Sequence, residues 1–518
     1  MSHSRLFIAA MSVGLALSCA AAYKKGELIW QTEFAADELP ALNASSKQKL
    51  VEGRTWRAAD GRNGDGAVYV HHATEAGDFK FGIPLKPEMV KGLVFIEADV
   101  KGVDLERGPQ SFNGPKVMIP WRAGGRTNYP QCPSEFGSFD WKTWVMVLDL
   151  PQDLQSISVV VGLENAPGEF WIDNVRVYRA VEIPDDAAAV APPNPKADSL
   201  PRGRFAGRPS PACFRGVMSG GDLSEAAFKT LHDWHANLIR FQIGIRTSDC
   251  ADEAAWFAKL DRKLDEMDAA LKLCRTYGLK LVVDLHGGPG TKQTKYASNV
   301  VPNDYDTTSL RKAWRIIATR FREDPAIYGY DILNEPATSP ATWDRVFREV
   351  MAEIRTVDRK TPVITESFKF YYPNENVIYS PHYYSPHTLT HMGVGGGRAV
   401  RWSYNNWING EFWNKERIRE ALAPFILFQQ KHPEARIYVG EFSCILWAKG
   451  AAEYINDCIE LFDEYGWDWT YHAFREWPPW SVEYEHAPDY ALGQMHKATH
   501  DTDRKRALLK GLRNNIGR

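Results

Sequence analysis

Along residues 23–180 apolar side chains recur at every second position in short runs. Gly66–His72, Leu93–Val100, Thr143–Leu148, Ser156–Val161 and Phe170–Tyr178 alternate in this way, and Gly, Pro, Asn and Asp separate them. A period of two buries one face of a strand. Short strands divided by turn residues predict a β-sandwich over residues 23–181. At residues 182–204 the pattern stops. Ala187-Ala-Ala-Val-Ala-Pro-Pro-Asn-Pro-Lys196 has no core period and reads as a semi-extended linker.

From residue 205 to 518 apolar runs alternate with helical patterns. The strand candidates are Phe214–Met218, Asn237–Ile243, Leu279–His286, Tyr328–Leu333, Pro362–Ser367, Val377–Tyr384, Ile437–Phe442 and Trp469–Phe474. Helical periods lie between most of them, as at Glu253–Tyr277, Ser309–Phe321 and Ala341–Arg355, and a last helix fits Asp501–Leu512. Eight strands with intervening helices predict an α/β fold, a (β/α)8 TIM barrel. An open doubly wound sheet is the alternative, but no G-x-G-x-x-G follows the first strand.

Residues 1–22 stand apart from both patterns. A basic start at Met1–Arg5, an apolar run at Leu6–Leu17 and small residues at Ser18–Ala22 form a secretory signal pattern. The expectation is a secreted or periplasmic protein with no membrane span. Acylation of Cys19, which would make a lipoprotein, is the alternative. The six later cysteines form no C-x-x-C pair, and sparse cysteines in a large chain read as small buried hydrophobes, with one or two disulfides left open. Lys+Arg number 62 and Asp+Glu 65, a net charge of −3, which leaves no electrostatic footprint for nucleic acid. The default oligomeric state is a monomer.

Ionisable and polar residues gather at the C-terminal ends of the predicted strands: Arg240, Asp284 and His286, Asn334 and Glu335, His382 and Tyr384, Glu441, and the run His472-Ala-Phe-Arg-Glu-Trp477. In a barrel all of these face one mouth, where active sites sit. Glu335 and Glu441 end the fourth and seventh strands, across that mouth from one another. Glycosidic cleavage needs a proton donor on the leaving oxygen and a base or nucleophile on the other face of the sugar, and two opposed carboxyl groups supply both. Asn334 is placed to bond a sugar 2-hydroxyl, and Arg240 to hold Glu441 ionised.

With these motifs in order, residues 205–518 resemble glycoside hydrolase family five. The matching pieces are Arg240 in Asn237-Leu-Ile-Arg240, Asp284-Leu-His286-Gly, Asn334-Glu335-Pro336, His382-x-Tyr384 and Gly440-Glu441-Phe442. The resemblance implies a retaining double displacement, with Glu335 as acid/base and Glu441 as nucleophile. It implies that His286, His382 and Tyr384 orient the nucleophile or bind sugar. The two carboxyl groups should then lie about 5–5.5 Å apart. The family usually places a Trp platform on the eighth strand. Here Trp477 is expected to stack on sugar, with Trp480 and His472 behind it. Phe170-Trp-Ile-Asp-Asn-Val-Arg-Val-Tyr178 resembles the last strand of carbohydrate-binding jelly-roll modules.

The expected substrate is a β-1,4-glucan, cleaved without a cofactor. β-Mannan or a mixed-linkage or branched glucan is the alternative. A non-catalytic glycan-binding protein is the reading from another class. An esterase lacks support, since there is no G-x-S-x-G, and metal catalysis by His286 and His382 lacks any short ligand spacing. Glu366 and Glu476 are rival carboxylates, Glu366 expected to support a subsite. The aromatic run Trp402–Trp413, after glycine-rich Gly393–Gly397, is expected either to wall the cleft or to pack on itself. Arg504-Lys-Arg506 reads as a solvated face.

Overall fold

The alternating runs of the first domain form two antiparallel sheets. One has six strands, in the order Trp56–Arg57, Ala67–His72, Gly168–Glu182, Gly92–Leu105, Gly137–Leu150, with Tyr23–Thr32 also on Gly168–Glu182. The other has five, built on Ser156–Glu164, which pairs with Asp78–Leu85, Gly114–Met118 and Trp121–Ala123, the last also paired with Arg126–Asn128. All five expected strands are present, most of them longer. Asp78–Leu85 is a further strand, masked in the sequence because Gly82 and Pro84 interrupt its pattern; it lies at a sheet edge, where proline is tolerated. The computed structural model describes residues 23–109, 112–132, 134–182, 191–205, 213–219, 221–294, 297–394, 402–486 and 495–515. The leader-like segment lies outside them, as do Gly395–Gly397.

The second domain closes eight parallel strands into a barrel. They are β1 (Arg215–Ser219), β2 (Leu238–Gln242), β3 (Lys280–Asp284), β4 (Ile327–Asp331), β5 (Val363–Thr365), β6 (Val377–Tyr379), β7 (Arg436–Val439) and β8 (Asp468–Tyr471), and β8 pairs back onto β1. Their inward side chains Leu238, Val282, Tyr328, Ile364, Ile378 and Tyr438 pack as one apolar cluster. Their outward neighbours, such as Ile239 and Leu281, pack under the helices. The helix Glu253–Tyr277 shows why the ends fall where they do. Asp252 accepts the Ala255 N–H at its start, and Gly278 ends it at φ 72°, a left-handed turn that glycine takes without steric cost. Among the described residues no helix is long and apolar enough to cross a membrane.

The two domains are docked. Within Gly92–Leu105 and Gly137–Leu150, Val94, Ile96 and Met146 point into the sandwich, while Phe95, Val145 and Val147 join the core on the barrel side. Their seat is the aromatic run after β6. It neither packs only on itself nor simply walls a cleft: Asn406–Ile408 and Glu411–Trp413 pair as a hairpin, and Trp402 meets Tyr23 edge-on at 5.8 Å. At Gly410 (φ 82°) a Cβ would lie 2.6 Å from Val145 Cγ2, so the hairpin tip can approach the sandwich only as glycine. A cavity of about 860 Å³ remains between the domains, reaching Pro386 and His387 on the barrel side.

Residues 191–205 are likewise pinned rather than free. Asn194 caps a single turn, Pro195–Asp198, and donates to Glu420, while Arg202 bonds Glu416 and the Gly203 N–H bonds Glu464. Arg504 is not part of a solvated face. It is 5% exposed and donates to the carbonyls of Cys444, Trp480, Ser481 and Tyr484, which ties down the loop after β8. Helical spacing turned this one residue of a basic run inward. The six cysteines from Cys132 to Cys458 are free thiols, five of them buried.

Val145→Asp would bury an unpaired carboxylate at the docking face, a change that costs several kcal/mol. The expected outcome is that sandwich and barrel unfold in two separated calorimetric transitions. An unshifted single transition would show that the docking face contributes no stability.

Candidate active site

The period of two that builds the barrel interior also places its chemistry. Two residues beyond several of these buried side chains, on the same face, stands a polar one: Leu238 leads to Arg240, Val282 to Asp284, Ile364 to Glu366 and, on β8, the buried Thr470 to His472. The lower layer excludes water, and the upper layer is polar and faces the mouth.

Arg240 is fully buried. Its Nη1 donates to Glu441 Oε1 at 2.5 Å, and its Nη2 to Asp331 Oδ2 and Asn334 Oδ1, both at 2.9 Å. Asp284 Oδ1 lies 3.2 Å from Nη2. One guanidinium thus joins the ends of β2, β3, β4 and β7.

Glu441 sits just past β7, 4% exposed. Its Oε2 accepts from Tyr384 Oη at 2.8 Å and faces His472 Nδ1 at 3.1 Å. Burial is the strongest single influence on this carboxyl and pushes its pKa up. The positive charges of His382 and His472, the His472 hydrogen bond and Arg240 together outweigh burial and hold it well below the usual range. The reverse balance acts on the imidazoles. Burial disfavours charge on His472, but Glu441 and Glu476 raise it to about 9. His382 is raised as well, by Glu366 and Glu441 acting against burial.

Glu335 follows β4, with its side chain 42% exposed toward the mouth. Its Oε1 lies 3.1 Å from His382 Nδ1. Its φ is 45°, a left-handed conformation that costs a non-glycine residue about 1–3 kcal/mol. The Glu335 N–H donates to Glu366 Oε1 at 2.8 Å, and Asn299 Nδ2 donates to the Asn334 carbonyl at 2.6 Å, which together hold the turn. Glu366 therefore supports the chain at Glu335. Its pKa is raised, first by burial and then by Asp331 and Glu335 against the opposing charge of His382.

A carboxylate oxygen of Glu335, one of Glu441 and a nitrogen of His382 lie within 4.8 Å of one another. The spacing would admit a metal ion. The donor set opposes one, because Arg240, His382 and His472 already surround Glu441 with positive charge.

The remaining residues named from sequence fall into two groups. His286 is at the mouth, with Nδ1 2.8 Å from Asp284 Oδ2; burial lowers its pKa, and the Asp284 charge more than reverses this. Asn334 commits its Oδ1 to Arg240, so a sugar hydroxyl would meet its amide N–H. Trp480 is 8% exposed, stacks on Tyr384 at 5.2 Å and is met edge-on by half-buried Trp477 at 4.7 Å. His472, the next candidate after Trp477 and Trp480 for the platform, lies in direct contact with Glu441. Gln242, Asp331 and Asn299 were not singled out as site residues. Gln242 and Asp331 do carry a sequence signal, since each ends a barrel strand. Asn299 lies in a segment with no pattern of its own.

Residues 210–476, a little over half of the chain, match the family described as cellulase (glycosyl hydrolase family 5). Endoglucanase C of Acetivibrio thermocellus is 24% identical over 249 residues, covering 40% of this chain and 72% of that protein. Endoglucanase 3 of Fibrobacter succinogenes is 26% identical over 314 residues, 50% of this chain and 47% of that protein. Among solved structures, an endoglucanase of the hyperthermophilic Thermotoga maritima superposes with a TM-score of 0.44 at 20% identity, over 58% of this chain and 96% of that one.

Arg240→Met would leave Asp284, Asp331 and Glu441 facing one another without their shared cation. A loss of about 3–5 kcal/mol at pH 7 is expected in urea unfolding. The missing cation raises the pKa values of Asp331 and Glu441 in the folded variant. It therefore takes up protons more readily than the native fold, and the deficit should shrink at pH 5. An equal deficit at both pH values would refute this electrostatic account.

Proposed function

Because the chain belongs to glycosyl hydrolase family 5, we propose that it is a retaining endo-acting hydrolase of β-1,4-linked glucan, with Glu335 as acid/base and Glu441 as nucleophile. The observation that carries the roles is the pair itself. Oxygens of the two carboxyl groups lie within 4.8 Å across the mouth. Retaining glycosidases hold their carboxyl groups about 5–5.5 Å apart, whereas inverting ones leave about 6.5–9.5 Å for a water molecule. The two endoglucanases to which the chain is similar support a glucan as the substrate.

In the first step Glu335 gives its proton to the glycosidic oxygen, the bond from that oxygen to the anomeric carbon breaks, and Glu441 bonds to the carbon. In the second step Glu335 takes a proton from water, the water oxygen attacks the same carbon, and Glu441 leaves as a carboxylate. The surroundings suit these roles. Glu441 has its charge held by Arg240, Tyr384 and His472, while Glu335 is open to the mouth, where a leaving group must depart. His286, Asn334, His382 and Trp477 are assigned to sugar binding. The N-terminal pattern supports export from the cytoplasm, and the sandwich, by its resemblance, a carbohydrate-binding module.

The test is reducing-sugar release from β-glucans and β-mannans. Release from β-1,4-glucan is expected. Glu441→Ala should fall to background, and Glu335→Gln should lose on the order of 10²–10⁴-fold, the usual worth of a general acid. Release only from mannan would change the substrate and keep the mechanism. Binding to insoluble glycan with no turnover by the native protein would favour the non-catalytic reading. A first-formed product with inverted anomeric configuration would overturn retention.

The depressed Glu441 pKa sets the acid limb. The nucleophile is lost only when Glu441 takes up a proton, so kcat/KM should hold down past the ordinary glutamate pKa of about 4.3. An acid limb at or above that pH would show that the surrounding cations do not act on Glu441.

A further inference from the structure

Past the barrel rim, β8 delivers His472 and then, four residues on, Glu476. The imidazole is nearly enclosed, with Trp480 edge-on at 4.8 Å. Its Nδ1 is 3.1 Å from Glu441 Oε2 and 2.7 Å from Tyr384 Oη. Its Nε2 is 3.5 Å from Glu476 Oε2, and the same oxygen accepts from Gln242 Nε2 at 2.8 Å. Both ring nitrogens therefore face carboxylates, which only accept hydrogen bonds. A neutral imidazole has one N–H and would turn a lone pair against one of the two. The doubly protonated ring satisfies both. Tyr384 has a single O–H, which it donates to Glu441, and its oxygen can receive the His472 proton.

We propose that His472 and Glu476 form a clamp on the nucleophile, in which Gln242 orients Glu476, Glu476 keeps His472 as an imidazolium, and the imidazolium holds Glu441 ionised and aimed. The clamp rests on the reading of Glu441 as nucleophile. It also gives Glu476 a task during turnover. When Glu441 becomes an ester its charge disappears, and the imidazolium loses one of its two counter-ions. Glu476 remains, so the proton stays on His472 and the cation is in place when Glu441 is released. No proton moves in this account. Groups facing the pair from other elements are His286 past β3, Tyr384 past β6, and His391, whose burial holds it neutral, while Arg240 on β2 and His382 past β6 face Glu441 itself. His472 and Glu476 are positioning residues, since they act through Glu441.

The test has two arms. The first follows the imidazole nitrogens of His472 by 15N NMR without substrate. Both should be protonated at pH 7.5 in the native protein, and Glu476→Gln should lower the titration midpoint by about one pH unit. The second arm follows the pH dependence of glycan hydrolysis. Glu476→Gln should move the acid limb of kcat/KM up by about half a unit or more and reduce kcat about tenfold with KM nearly unchanged. His472→Gln should show the same kind of shift, and the double variant no more than His472→Gln alone. A neutral His472 at pH 7.5 overturns the clamp whether or not any glycan is cleaved. An unmoved acid limb in folded Glu476→Gln overturns its effect on the nucleophile. A protein with the imidazolium in place that cleaves no glycan overturns the hydrolase reading, and the positioning role with it.

Discussion

Arg240 carries a permanent charge into the barrel with no exposure to solvent. Taking a guanidinium out of water costs several kcal/mol unless its hydrogen bonds and its charge are matched. Here the match comes from Asp284, Asp331, Asn334 and Glu441, supplied by three other strand ends. The requirement runs in both directions, because three buried carboxylates without that cation would repel one another. The guanidinium holds Glu441 directly and Glu335 through the adjacent Asn334. The distance between the two glutamates across the mouth thus depends on this side chain together with Glu366 and Asn299, which hold the turn at Glu335.

Around that fixed pair the two carboxyl groups have different surroundings. Glu441 is buried among Arg240, His382, His472 and the Tyr384 hydroxyl. Glu335 stands in a strained turn, more exposed, with His382 as a hydrogen-bond partner and Glu366 under its backbone. Two groups of the same chemical type are separated in role by what encloses them. Gly440 belongs to the same arrangement: a Cβ there would lie 2.6 Å from Ser380 Oγ and 3.0 Å from His382 Nε2, so the chain next to Glu441 must be bare for His382 to reach its place.

The sandwich is part of this molecule's architecture rather than a tethered module. Its sheet alternates so that one set of side chains fills its own core and the intervening set rests on the barrel hairpin. Because that hairpin follows Tyr384 in the chain, docking also anchors Asn406–Trp413 beyond β6.

The period of two and the period of 3.6 were legible in the chain, and with them the sandwich, all eight barrel strands and the helix Glu253–Tyr277. Strand ends are readable for the same reason: an apolar run that stops at a charged residue marks where the chain leaves the core. This was enough to place Arg240, Asn334, Glu335, His382, Tyr384 and Glu441 at one mouth. Side-chain partners were not legible, since they join residues tens or hundreds of positions apart. Helical spacing puts Arg504 on the face of Leu508 and Leu512 and its neighbour Arg506 off it, but the four carbonyls that Arg504 meets are not legible locally. Nothing local says that His472 turns to Glu441 while Trp477 packs on Trp480. The elements and the chemistry available at their ends follow from the chain alone, because periodicity is a property of neighbouring residues. Which charges neutralise one another follows from the folded arrangement, because burial and distance arise when distant strands close into a barrel.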